Sequence, residues 1–208
     1  MSHTTFKVLS VEHHSEAELL KKLRQVTMLK DPGAYPYKEA DIALRKVTFQ
    51  EVVPAQRYVL ENELKKAQNL KWELEKHGHD LFALGGYVTI TTDQADEPID
   101  VLPPIIESAA EANGETAAII NDGMHRMYVA RLEWRNPEVV FIQGVPREYP
   151  YYAYPIPGGN WNEVTILPGS EIPAGFIKKW HRISDNKLLY RDFNSAFINV
   201  GGPRGQAK

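Results

Sequence analysis

The stretch "AAIINDGMHRMYVARLEW", residues 117–134, constrains the fold most. An apolar run, Ala117 to Ile120, stops at Asn121-Asp122-Gly123, and a helical pattern begins at once. In that pattern Met127, Val129, Ala130 and Leu132 are available for packing. A buried strand that turns directly into a helix requires helices layered on a sheet, an α/β (mixed α+β) architecture.

The rest of the chain repeats that alternation. Phe6 to Val11 reads as a short strand. Ser15-Glu16-Ala17-Glu18 is a capping box that opens a helix with Leu19, Leu20, Leu23 and Val26 on one face. "KDPGAYPYKEAD" is a loop, and residues 45–53 alternate as a β-branched strand ended by Pro54. Leu60, Leu64, Ala67, Leu70 and Leu74 form one helical face, with Gly78 as the stop. "GYVTITT" is a strand, Asp93 to Asp100 an acidic loop, and "VLPPIIES" a strand after a proline turn. "ETAAIIN" enters the junction, and "VVFIQGV" after Pro137 is a continuous apolar strand of the doubly buried kind. From Pro146 onward Tyr, Pro and Gly dominate, so residues 147–208 read as an extension wrapped on the main body. The expected division is 1–44 as an N-terminal strand-helix packing layer, 45–146 as the central domain, and 147–208 as the extension.

Composition closes off several classes of function. The chain has no cysteine among its 208 residues, which removes disulfides, thiolate catalysis and cysteine-ligated zinc. Twenty-four basic against 27 acidic residues leave a net charge of -3, with no general attraction to nucleic acid or anionic membrane. No stretch has signal-peptide or membrane-spanning character, so a soluble cytoplasmic protein is expected.

The junction carries the chemistry. A glycine at the turn lets the backbone approach a ligand closely. The N–H groups after Gly123 sit at a helix N-terminus, which favours an anion. Arg126 can grip phosphate oxygens in a bidentate fashion, and His125 can donate to an oxygen or shuttle a proton. Asp122 suits a bound Mg²⁺ or a hydroxyl that needs a base. The plainer alternative is that Asp122 caps the helix and pairs with Arg126 one turn on. For Asp122 alone both readings stand. The four residues together favour a ligand site, because a cap does not require His and Arg together.

The order of elements is strand, Pro54-Ala55-Gln56-Arg57, helix, Pro103-Pro104-Ile105-Ile106, strand, Asp122-Gly123-Met124-His125-Arg126, helix, strand. It resembles the ParB/sulfiredoxin superfamily over about residues 45–146, with Gly123, Arg126 and Ala130 at its strongest positions. The resemblance implies a nucleotide or small phosphorylated ligand, with Mg²⁺ and ATP, ADP or CTP, and phosphoryl transfer or nucleotide hydrolysis. Asp122 and His125 would be catalytic, with Asp122 also the metal ligand; Gly123, Met124, His125 and Arg126 would bind phosphate, with Gln56 and Arg57 bordering the site. Sulfiredoxins have their catalytic cysteine where Met124 stands, so sulfinic acid reduction is not expected. ParB proteins have Gly-Glu-Arg-Arg here and use CTP; Met124 replaces the acid. The superfamily's free-serine kinases carry Asp-Gly-His-Thr-Arg, which Asp122, Gly123 and Arg126 match best. Such a kinase also needs a carboxylate near the first main helix, for which Glu51, Glu61 and Glu63 are candidates. The alternative is a non-catalytic, DNA-associated or regulatory module of ParB type. DNA is not favoured, because the proline-broken segment after Val145 shows no helix-turn-helix pair.

Other constellations are weaker. His77-Gly78-His79-Asp80 at a helix end and His13-His14 are poor metal candidates. The tyrosines from Tyr149 to Tyr154 with Trp161 suit a half-buried edge strand better than a base-stacking platform. "GGPRG" lacks the lysine and helix of a phosphate loop, and Lys178, Lys179, His181 and Arg182 form a small solvated basic cluster.

Overall fold

A computed structural model describes residues 5–110, 116–149, 151, 161–171 and 189–201. Fourteen elements follow in chain order: β1 Val8–Ser15, α1 Glu16–Leu23, β2 Thr27–Met28, β3 Asp41–Lys46, β4 Tyr58–Leu60, α2 Glu61–Lys76, β5 Gly86–Thr92, β6 Ala95–Val101, β7 Ile105–Ala110, β8 Thr116–Asp122, α3 Met124–Leu132, β9 Glu138–Gln143, β10 Thr165–Leu167 and β11 Arg191–Asp192. The fold is mixed α/β, as the junction requires.

Four strands form the central sheet in the order β3-β9-β7-β8, with β7 and β9 parallel and the outer pairs antiparallel. Its two faces enter different cores. Ile106, Ile120, Val139 and Phe141 pack with α2 and α3 residues such as Leu64, Leu74, Met127 and Val129. Ile42, Ile105, Val140 and Ile142 pack with Leu19 and Leu23 of α1, Tyr37, Phe193 and Phe197. This explains the unbroken apolar run of β9, since alternate side chains need cover on both sides. A second sheet, β1-β5-β6, shares both cores through Val88 and Tyr87. The capping box forms as read: Glu18 N–H donates to Ser15 Oγ, and Ser15 N–H to the Glu18 carboxylate.

Three elements differ from the sequence reading. The first strand runs Val8–Ser15 rather than Phe6–Val11, because its pairing with β5 continues to Gly86 and carries His13 and His14 into the sheet. The strand expected over 45–53 is β3, Asp41–Lys46. The Glu51 carboxylate accepts from the Thr48 N–H and hydroxyl and from Arg45, which curls residues 48–51 into a turn. Most of Asp93 to Asp100, expected as an acidic loop, belongs to β6, Ala95–Val101. It is an edge strand, where charges are tolerated and Pro98 falls at a shift in register.

The described parts of the C-terminal segment lie on the main body. β10 pairs with β4, β11 pairs with β2, and the Trp161 indole donates to the carbonyls of Phe49 and Val52. No helix-turn-helix occurs among the described residues, and none of their helices is long and apolar enough to cross a membrane. Tyr152, Tyr154 and the basic cluster at 178–182 lie outside the described residues. Tyr151 is buried, and the Tyr149 carbonyl accepts from Arg191.

A buried ion pair also joins the C-terminal segment to the central sheet. Arg191 Nη2 meets Glu107 Oε1 at 2.6 Å and Arg191 Nε meets Glu107 Oε2 at 3.2 Å, with side chains 0% and 1% exposed. Tyr37 OH donates to the same carboxylate at 2.9 Å. Glu107→Ala leaves Arg191 as an uncompensated buried charge and is expected to destabilise the fold by about 3–5 kcal/mol, read from urea midpoints.

Candidate functional site

A cavity of about 640 Å³ opens where the N-termini of α2 and α3 meet. Asp122, Gly123, Met124, His125 and Arg126 all line it, as does Gln56. Glu63 and Lys66 from the start of α2 line it too, and Val200 and Gly201 of the C-terminal segment form part of its wall. Arg57 is not among the lining residues; its Nε is buried without a hydrogen-bond partner among those described. Gln56 Nε2 donates to the Tyr58 carbonyl.

Gly123 is the N-cap of α3, at φ 85°, with no side chain capping the helix. The capping role considered for Asp122 is therefore not what the structure displays. A helix without a side-chain cap leaves its first N–H groups for water or a ligand. A Cβ at position 123 would lie 2.9 Å from Pro104 Cα and 3.0 Å from Arg126 Nη2. Glycine is thus required twice, for its left-handed backbone and for the close passage of Pro104. Gly123→Ala is expected to lower stability by about 1–3 kcal/mol, measured by thermal or urea unfolding.

The ion-pair half of the plainer reading is present. Arg126 Nη2 donates to Asp122 Oδ2 at 2.6 Å, and Nη1 donates to the Leu102 carbonyl. The other carboxylates of the cavity also have cations: Glu63 contacts Lys66 at 2.7 Å, and buried Asp100 lies 3.6 Å from Lys22. Of the three carboxylates the sequence left open, Glu63 alone lines this cavity; Glu51 pairs with Arg45 and Glu61 with Lys65.

His125 joins the two helix starts. The Leu60 N–H at the N-cap of α2 donates to His125 Nε2 at 3.1 Å. An imidazole that accepts at Nε2 is neutral and carries its proton on Nδ1, so Nδ1–H is the donor left for a ligand. Burial pushes the imidazole below its ordinary pKa of 6.5, against the pull of Glu63 and Asp122. The unfolded chain then takes up the proton first as pH falls. Stability is complete above about pH 6.5 and is lost as pH drops through that value toward the lowered folded pKa. Unfolding midpoints should fall as pH drops below about 6.5, and His125→Gln should flatten that part of the slope.

Among the described residues no group of three or more His, Asp or Glu is placed to hold a metal ion. The His77–Asp80 stretch is used structurally: His77 Nε2 contacts the Val8 carbonyl, Asp80 pairs with Arg135, and His79 stacks on His13.

Comparison with protein-family models matches residues 18–165 to the ParB CE domain. The chain belongs to the ParB CE domain family. The match begins within α1 and ends at the first residue of β10, so this ParB-type domain reaches beyond the 45–146 of the resemblance on both sides. No curated protein and no solved structure matches the sequence.

Proposed function

We propose that this ParB CE domain binds a nucleotide, or another small phosphate-bearing ligand, with Mg²⁺ in the cavity at the 122–126 turn. Phosphoryl transfer or nucleotide hydrolysis is the chemistry that reading implies. The observation that carries it is the meeting of an uncapped helix start, Gly123 to Arg126, with Asp122, His125 and Glu63 in one cavity of about 640 Å³. The volume falls within the range of small-molecule sites.

The charges argue for an accompanying cation. Each carboxylate of the cavity already has a cation beside it, so a bare polyphosphate would find little unspent positive charge. Asp122 and Glu63 are oxygen donors of the kind Mg²⁺ takes with phosphate oxygens. When bound, Mg²⁺ would supply neutralisation of phosphate charge. A phosphate oxygen that takes over Arg126 Nη2 frees the Asp122 carboxylate to hold that cation or to accept a proton. In the transfer itself, an attacking hydroxyl or water forms a bond to the terminal phosphorus as the bridging P–O bond breaks. The leaving nucleotide, one phosphate shorter, keeps the electron pair, and the proton goes to Asp122. His125 Nδ1–H would donate to a phosphate oxygen.

ATP, ADP, CTP and GTP with Mg²⁺, screened by thermal shift, should include one that raises Tm; stabilisation of about 2.7 kcal/mol corresponds to ligand at a hundredfold its Kd. Arg126→Ala is expected to cost on the order of 2 kcal/mol of binding, roughly thirtyfold in affinity. Asp122→Asn keeps the contact to Arg126 but loses the charge, so it should fold and lose Mg²⁺-dependent turnover. If no nucleotide binds at millimolar concentration, the enzymatic reading falls and only the fold remains.

A further inference from the structure

We infer that Asn121 is a specificity-determining residue of this cavity: its side-chain carbonyl is a fixed hydrogen-bond acceptor that selects ligands presenting an N–H or O–H to it. The inference rests on the nucleotide reading above and adds to it a part that reads the nucleoside rather than the phosphates. Asn121 stands on β8, immediately before Asp122, and lines the cavity.

The orientation of its amide follows from donor counting. Asn121 Nδ2 donates to Glu107 Oε2 at 3.0 Å and to Tyr37 OH at 3.2 Å. A primary amide donates only through its nitrogen, so both contacts hold Nδ2 toward Glu107 and Tyr37. The Tyr37 hydroxyl proton is itself committed to Glu107 at 2.9 Å, which leaves the phenol oxygen only able to accept from Asn121. The doubly held contact to Arg191 keeps Glu107 in place and makes its carboxylate an acceptor. Turning the amide over would set Oδ1 against a carboxylate oxygen and a phenol oxygen, two acceptor–acceptor contacts beside buried groups. One orientation survives, and the atom it leaves for the cavity is Oδ1. Among the described residues nothing donates to that oxygen.

A neutral acceptor next to a phosphate-binding turn gains nothing from a phosphate oxygen, which has no proton to offer. It gains from a ribose hydroxyl or from the exocyclic amine of a base. Tyr37, Glu107 and Arg191 act on this choice only through Asn121 and are positioning residues. Arg191 lies in the C-terminal segment, so a residue remote in sequence sets what the cavity accepts.

The test compares binding by titration calorimetry. The probes, each with Mg²⁺, are whichever of ATP or CTP binds the wild type more tightly, its 2′-deoxy and 3′-deoxy forms, the counterpart lacking the exocyclic amine (ITP or UTP), and inorganic tripolyphosphate. The wild type should bind the parent several-fold more tightly than at least one donor-lacking analogue. Asn121→Ala should weaken the parent about tenfold, leave tripolyphosphate within about twofold, and erase the preference over that analogue. Which analogue loses its penalty distinguishes the ribose from the base as the source of the donor. Tyr37→Phe removes one of the two acceptors that hold Asn121 Nδ2 and should shrink the same preference by about two- to threefold; it carries the test if Asn121→Ala does not fold. A preference that survives intact, or an equal loss for tripolyphosphate, overturns the inference. If the wild type binds tripolyphosphate and every nucleotide alike, Asn121 reads nothing and the phosphate site stands. If it binds none of them, both readings fall together.

Discussion

The contact between Arg191 and Glu107 is the interaction on which the other parts depend. A guanidinium and a carboxylate shut away from water are costly unless every polar atom finds a partner. Here the partners come from distant stretches of chain: Tyr37 from the N-terminal layer, Asn121 from β8, and the carbonyls of Tyr149 and Leu189 from the C-terminal segment. Satisfying one buried pair therefore brings together three regions that share no local signal. It also fixes the end of β8, the strand that delivers Asp122 and Gly123 to the cavity.

From that strand the geometry passes to the helices. Gly123 lets the chain turn under Pro104, so α3 starts at once and points its first turn into the cavity. His125 then accepts from Leu60, which sets the start of α2 beside the start of α3. Two helix N-termini with positive potential thus face one space. The acids and bases around that space are arranged in pairs, so it is close to neutral where it is most polar.

Membership of the ParB CE domain family and the absence of cysteine bear on the chemistry in different ways. The family match spans the elements from α1 to the start of β10. The missing thiol removes thiolate chemistry, and Met124 is buried in the apolar core.

Short-range chemistry is what the sequence determined by itself. The Ser15–Glu18 capping box, the apolar face of α2, the doubly buried β9 and the glycine turn before α3 are all decided within a few residues, where spacing and steric limits act directly. The residues gathered at the 122–126 turn were legible for the same reason: they are neighbours along the chain. Whether Glu51, Glu61 or Glu63 reached the cavity was not, since each lies near a strand end or helix start and only packing separates them. The edge strand β6 was hidden because its charges match a loop in composition, and its hydrogen bonds to β5 depend on a hairpin rather than on apolar pattern. That Lys66 and Val200 share one cavity, and how the Asn121 amide is turned, required the tertiary structure, because the cavity wall and the partners Glu107 and Tyr37 come from separate stretches of chain. Local sequence sets which conformations a segment prefers; which side chains meet is decided by packing between segments that no single window of sequence contains, as the buried pair of Glu107 and Arg191 shows.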